Sequence, residues 1–182
     1  MPLNTEKPLV PQGPQLIAPA PRRLVYASLV LGYLCILLPW PQGMLWLVPD
    51  FTLVVLLYWV IHAPHLAGLG LAMALGLLTD ATLGGLMGQH ALTYTVTAFL
   101  VIHLRRRLEN FEVSGRALHL APIFLGQQAL FLILGLVFRL PDADWRYLVA
   151  GLSAVLCWIP LARLFDRLTG WTNEMHIEPA AK

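Results

Sequence analysis

The sequence predicts an all-α integral membrane protein of about six short transmembrane helices. Three observations lead there. Of 182 residues, 58% are hydrophobic and 12% charged, whereas a soluble domain carries about 25% charged residues; mean hydropathy is +0.68. The apolar residues gather into runs of bilayer-crossing scale. The basic residues fall in alternate gaps between those runs. Arg22 and Arg23 precede the first, Arg105, Arg106, Arg107 and Arg116 separate the fourth from the fifth, and Arg163 and Arg167 close the sixth. The remaining gaps hold only Arg139 and Arg146. An excess of Lys and Arg marks the cytoplasmic side, so the pattern predicts a multi-pass inner-membrane protein with both ends in the cytoplasm.

Three segments follow from this map: a cytoplasmic tail over 1–21, a membrane domain over 22–168 and a cytoplasmic tail over 169–182. The first holds six prolines and few large apolar groups. Such a segment cannot bury enough surface to offset the entropy of ordering, which predicts disorder. Pro21 suits the opening of the first helix, where a missing N–H costs nothing. That helix is expected over 24–38, ended by Pro39, with Trp40 and Trp46 as interfacial anchors. It lacks the cleavage pattern of a signal peptide and reads as an uncleaved span. The second is expected from Pro49-Asp50 to the residue before Pro64, the third over 66–79, the fourth over 89–104, the fifth over 118–138 and the sixth over 145–165. Fifteen residues span roughly 22 Å against a hydrocarbon core of about 30 Å, so flanking Arg and Trp must cover the mismatch. Only His62-Ala63-Pro64-His65 separates the second and third helices, which predicts a tight hairpin.

Polar groups gather on the face opposite the arginines. Asp50 opens the second helix there, Asp80 closes the third, Gln89 and His90 open the fourth, and Asp142 and Asp144 precede the sixth. An aspartate at a helix centre costs about 2.5–3.5 kcal/mol on insertion scales, so Asp80, flanked by uncharged residues from Leu66 to Gln89, is a candidate functional group. Its bland alternative is a cap for the turn into Thr82-Leu83-Gly84; Asp50 reads as an N-cap. Gly84, Gly85 and Gly88 fit small-xxx-small spacing and would admit a close helix or a re-entrant segment, or form a plain turn. Gln127 and Gln128, mid-helix amides, need hydrogen-bond partners and are expected to lock the fifth helix, with a ligand or partner contact as the alternative. Arg105, Arg106 and Arg107 read as an anchor to anionic lipid at about 1 kcal/mol per residue.

Other chemistry finds little support. The charge of +2 is small and confined to loops, which argues against nucleic acid. Cys35 and Cys157 lie in apolar runs and read as packing residues. His62 and His65 flank a helix-breaking proline with no further ligand nearby, so no metal or other cofactor is expected. Gly151-Leu152-Ser153-Ala154 resembles the Gly-x-Ser-x of rhomboid intramembrane proteases, with His90 the nearest base, but the other rhomboid signatures are missing and these are ordinary packing residues.

Taken in order, Pro49-Asp50, Leu57-Tyr58-Trp59, Gly76-Leu77-Leu78-Thr79-Asp80, Leu83-Gly84, Gly88-Gln89-His90-Ala91-Leu92 and Gln127-Gln128-Ala129 resemble the rod shape-determining protein MreD family of Gram-negative bacteria, over roughly residues 24–168. The resemblance implies a non-enzymatic scaffold of the cell-elongation machinery. It implies partnership with MreC, and with MreB, the glycosyltransferase RodA and an elongation-specific transpeptidase in one complex. It implies a six-helix fold similar to the S component of energy-coupling-factor transporters, which keeps a small-molecule-binding or transport role as the alternative. On this reading Asp50, Asp80, Gly84, Gly85, Gly88 and His90 form the fold-and-partner region.

Overall fold

The helix with the fewest polar residues occupies the centre of the molecule. In the computed structural model, which describes residues 20–140 and 144–171, the chain forms α1 (Arg22–Ile36), a 3-10 turn (Gln42–Leu47), α2 (Phe51–His62), α3 (Leu69–Leu83), α4 (Gln89–Leu108), α5 (Val113–Val137) and α6 (Tyr147–Thr169). No strand occurs among the described residues. The α2 sequence, FTLVVLLYWVIH, is apolar around its whole circumference. A helix of that kind has no face to give to water and must be enclosed. Residues 52–61 are all buried, and α1, α4 and α6 surround them.

Small residues set the closest approaches. A Cβ on Gly32 of α1 would lie 3.2 Å from the Phe51 carbonyl oxygen, so α1 rests directly on the α2 backbone. The same contact is tied by Trp59, whose Nε1–H donates to Ser28 Oγ at 2.8 Å. A Cβ on Gly151 of α6 would lie 3.2 Å from the Phe124 carbonyl oxygen of α5, and Ser153 donates its hydroxyl to Ala150 O within its own helix. Gly151 and Ser153 thus sit in helix packing. Outside this frame, Leu31, Leu118, Leu156 and Val137 remain exposed, as lipid-facing side chains are in a protein that spans a bilayer.

Among the described residues, three helical stretches are long and apolar enough to cross a membrane: Gly43–His62, Val113–Val137 and Tyr147–Thr169. The helices α1 and α3 have 15 residues each, and α4 has 20 but ends on three arginines.

Several expected boundaries shift for one reason: hydropathy marks the limits of an apolar run, not of a helix. Arg105, Arg106 and Arg107 were expected in a connecting loop but form the last turns of α4, where cations suit the C-terminal dipole. Arg116, placed in the same loop, lies in the first turn of α5. Similarly, α3 continues past Asp80 to Leu83.

The tight hairpin between the second and third helices is not formed. Residues 63–68 carry the chain away from α2, and α3 packs on α4 instead. Pro64 and Gly68 favour the turn, and the buried methyls of Ala63 and Ala67 hold it against the core. The disorder expected over 1–21 falls almost wholly outside the described residues, as do Asp142 and the part of the C-terminal tail beyond Trp171. Pro21 does stand immediately before α1, its carbonyl accepting from the N–H groups of Leu24 and Val25.

Candidate functional site

Two helix N-termini meet at the end of the bundle remote from Arg105, Arg106 and Arg107, and each is closed by a carboxylate. A helix begins with several N–H groups that have no partner within it. Asp50 answers this for α2 in the ordinary way, from the N-cap: its Oδ1 accepts from Leu53 N–H at 3.0 Å. Its other oxygen accepts from the Tyr94 hydroxyl at 2.5 Å, which joins the start of α2 to α4.

The α4 N-cap is Gly88, which has no side chain to offer. Asp80, in the last turn of α3, supplies the missing acceptor from across the turn. Its Oδ2 accepts from Gly88 N–H at 2.9 Å and Ala91 N–H at 3.2 Å. Its Oδ1 accepts from His90 N–H at 2.8 Å and from His90 Nδ1–H, also at 2.8 Å. Four donors thus converge on a carboxylate that is 2% exposed. The positive end of the α4 dipole lies against its negative charge. Asp80 does not cap its own turn, as its position in sequence suggested; it caps the next helix. Sequence reasoning missed Gly76, one turn earlier in α3. A Cβ there would lie 2.6 Å from Ala91 N and 2.7 Å from His90 C. The absence of a side chain at Gly76 lets α4 come close enough for Asp80 to reach its N-terminus. Spacing of i, i+4 between a glycine and a buried aspartate was the available signal.

The glycines between these residues serve conformation. Gly84 closes α3 at φ 68°, and Gly88 sits at φ 98°. A Cβ at Gly84, Gly85 or Gly88 would meet nothing within 4 Å, so among the described residues no helix approaches them; they form a plain turn. Gly84→Ala and Gly88→Ala are therefore expected to destabilise by about 1–2 kcal/mol each through left-handed strain. Gly85→Ala, at ordinary φ, should stay within about 0.5 kcal/mol of the parent. Reversible denaturation in mixed micelles measures all three.

The same end is cross-tied elsewhere. Tyr33 of α1 hydrogen bonds the Thr82 hydroxyl of α3, and Gln89 Nε2–H donates to Phe131 O of α5 at 2.9 Å. Gln89 is thus the amide that links two helices. Gln127 and Gln128, expected to do so, are 4% and 8% exposed and make no side-chain hydrogen bond among the described residues. They line a cavity of about 610 Å³ that also borders Asp50, His90 and Tyr94. Asp144 accepts from Arg146 N–H at 3.0 Å on an exposed loop.

A second polar cluster, at the arginine-rich end, was not anticipated. Arg116 is 8% exposed. Its Nε–H donates to Leu108 O at 3.0 Å and an Nη2–H to Glu109 O at 3.4 Å, which caps the end of α4. Its Nη1–H points to His62 Nε2 at 2.8 Å. Arginine can only donate, so Nε2 must accept, and the ring proton sits on Nδ1, donating to Tyr58 O at 2.8 Å. Both ring nitrogens of His62 are committed. The Tyr58 hydroxyl in turn donates to Asp166 Oδ1 at 2.7 Å. Arg105 pairs with Glu109 at 2.7 Å, while Arg106 and Arg107 are exposed.

Comparison with known proteins gives the family of the chain. The family described as rod shape-determining protein MreD matches residues 22–168. A rod shape-determining protein MreD of Haemophilus influenzae is 28% identical over 137 residues, which are 74% of this chain and 83% of that protein. No solved structure matches significantly.

Proposed function

The chain belongs to the MreD family of rod shape-determining proteins, and from that premise we propose that it is a non-enzymatic inner-membrane scaffold of the elongation machinery, binding MreC at the end of the bundle where Asp50 and Asp80 lie. That end faces the periplasm on the charge pattern, with both termini and Arg105, Arg106 and Arg107 at the cytoplasmic lipid surface. Through MreC the protein couples to MreB, RodA and the elongation-specific transpeptidase, and so to peptidoglycan synthesis.

The observation that carries this reading is a braced rim with apolar groups on it. Hydrogen bonds tie α1 to α3, α2 to α4, α3 to α4 and α4 to α5 at one end. Around that frame Met44 and Leu45 of the 3-10 turn, Leu83 at the end of α3 and Met87 in the turn after it are exposed. Apolar side chains on a pre-organised frame suit protein contact, because little ordering entropy remains to be lost on binding.

Co-purification with MreC tests the assignment. Leu83→Asp with Met87→Asp places charge on the rim without touching the Asp80 joint and should abolish retention of MreC and turn rod cells round. Asp80→Leu and Gly84→Leu should do the same by disordering the frame. If all of these insert normally and still retain MreC, the rim is not the contact.

A further inference from the structure

The two mid-helix glutamines of α5 point to a ligand. Gln127 lies ten residues before the end of α5, about 15 Å from it along the helix axis. At that depth neither lipid nor the surrounding protein offers hydrogen bonds to spare. The two amides face open cavity space and have no protein partner among the described residues, so whatever fills the cavity is what they bond. Both Gln127 and Gln128 are more than nine-tenths buried, both line the cavity, and neither side chain bonds to the protein among the described residues. Other buried amides and carboxylates nearby are satisfied: Gln89 by Phe131 O, Asp80 by four donors, Asp50 by Leu53 N–H and Tyr94.

The cavity has the size of a site for a small organic molecule, about 300–1,000 Å³, at roughly 610 Å³. Its far end is lined by the connections after α1, α3 and α5, at Leu45, Gly84 and Leu140. Entry is therefore from the side that carries the rim. No lysine or arginine among the described residues lines it, so an anion would meet no counter-charge. The Asp50 carboxylate borders it but is already engaged by two donors, so a cation would have to displace them. Between mouth and floor the wall is mainly apolar, with Ile36, Phe51, Phe131 and Leu132.

We propose that this cavity is a binding site for a small uncharged amphiphile, whose amide or hydroxyl head pairs with the Gln127 and Gln128 amides and whose apolar body fills the space toward the rim. The cavity opens beneath the rim and shares Leu45 and Leu83 with it; the floor at Gln127 and Gln128 lies away from the rim, so binding is measured on the chain without MreC.

The experiment uses the full chain in lipid nanodiscs and dansylamide as the probe, a neutral sulfonamide on an apolar ring. Saturable, blue-shifted emission is expected. Dansylglycine, its anionic counterpart, should bind at least about tenfold more weakly, as should dansylamide to the Gln127→Leu/Gln128→Leu double variant, the size of effect that one lost hydrogen bond produces. Cys35 also lines the cavity and supplies a readout should the double variant fail to fold. In a Cys157→Ala background, saturating dansylamide should slow alkylation of Cys35 by N-ethylmaleimide. Non-saturable emission, equal binding of dansylglycine, or unchanged Cys35 alkylation would overturn the proposal and leave a hydrated vestibule.

Discussion

Asp80→Leu is expected to destabilise the protein by about 3–5 kcal/mol, more than any other single change at that end of the bundle. The carboxylate accepts from three backbone N–H groups and one imidazole N–H, and hydrogen bonds to a charged group contribute about 1.5–3 kcal/mol each. A full sum would exceed the usual stability of a domain, so the estimate is lowered because the turn can relax and let water reach some donors. Leucine keeps the branched shape but is larger, so some overpacking adds to the lost hydrogen bonds at this buried site; the near-isosteric asparagine supplies the comparison without it. Asp80→Asn keeps one acceptor oxygen but turns its amide toward N–H groups that can only donate, and should fall between the two. Gly76→Val should also cost several kcal/mol, because its side chain would overlap the Ala91 and His90 backbone. Both changes break the same α3–α4 joint. The double variant should therefore be much less destabilised than the sum of the singles. Reversible denaturation in mixed micelles supplies all four values; strict additivity would mean that Gly76 and Asp80 act independently.

The joint was half visible in the sequence. A long apolar setting made Asp80 conspicuous, and Gln89-His90 was recognised as the start of a helix. What did not follow was that a glycine N-cap leaves N–H groups needing an acceptor, and that a carboxylate eight residues earlier can reach back over a glycine turn. Asp50 was legible because N-capping is local, acting within three residues. Gln127 and Gln128 were recognised as amides in need of partners, but which amide bridges helices depends on side-chain direction, and Gln89 faces Phe131 while they face the cavity. The six helices were legible because lipid demands long apolar runs, and their ends were not, because arginine extends a helix beyond the apolar core by stretching its aliphatic stem. Counting Arg116 as a cytoplasmic marker concealed its contact with His62, 54 residues away.

That contact carries the second large effect. Arg116→Leu should cost about 2–4 kcal/mol, because it strands two carbonyls at the end of α4 and His62 Nε2 without donors. Arg116→Lys should recover only part of this, since one ammonium cannot span three acceptors that the planar guanidinium reaches together. His62→Phe offers the sharper comparison. It keeps the ring stacked on Tyr58, 4.2 Å between centroids, and beside Trp171, yet removes the acceptor for Nη1–H and the donor to Tyr58 O. If His62 served mainly as an aromatic filler, His62→Phe would be nearly silent. The hydrogen bonds from Arg116 to His62 Nε2 and from His62 Nδ1–H to the Tyr58 carbonyl predict instead a loss approaching that of Arg116→Leu, because the guanidinium is left buried with a donor unpaired. Combining the two should recover about 1–2 kcal/mol relative to their sum, since the double variant removes both the orphaned donor and the orphaned acceptor. A silent His62→Phe together with a costly Arg116→Leu would assign the effect to the α4 carbonyls alone, and α2 would then be held at this end by packing rather than by its link to α5.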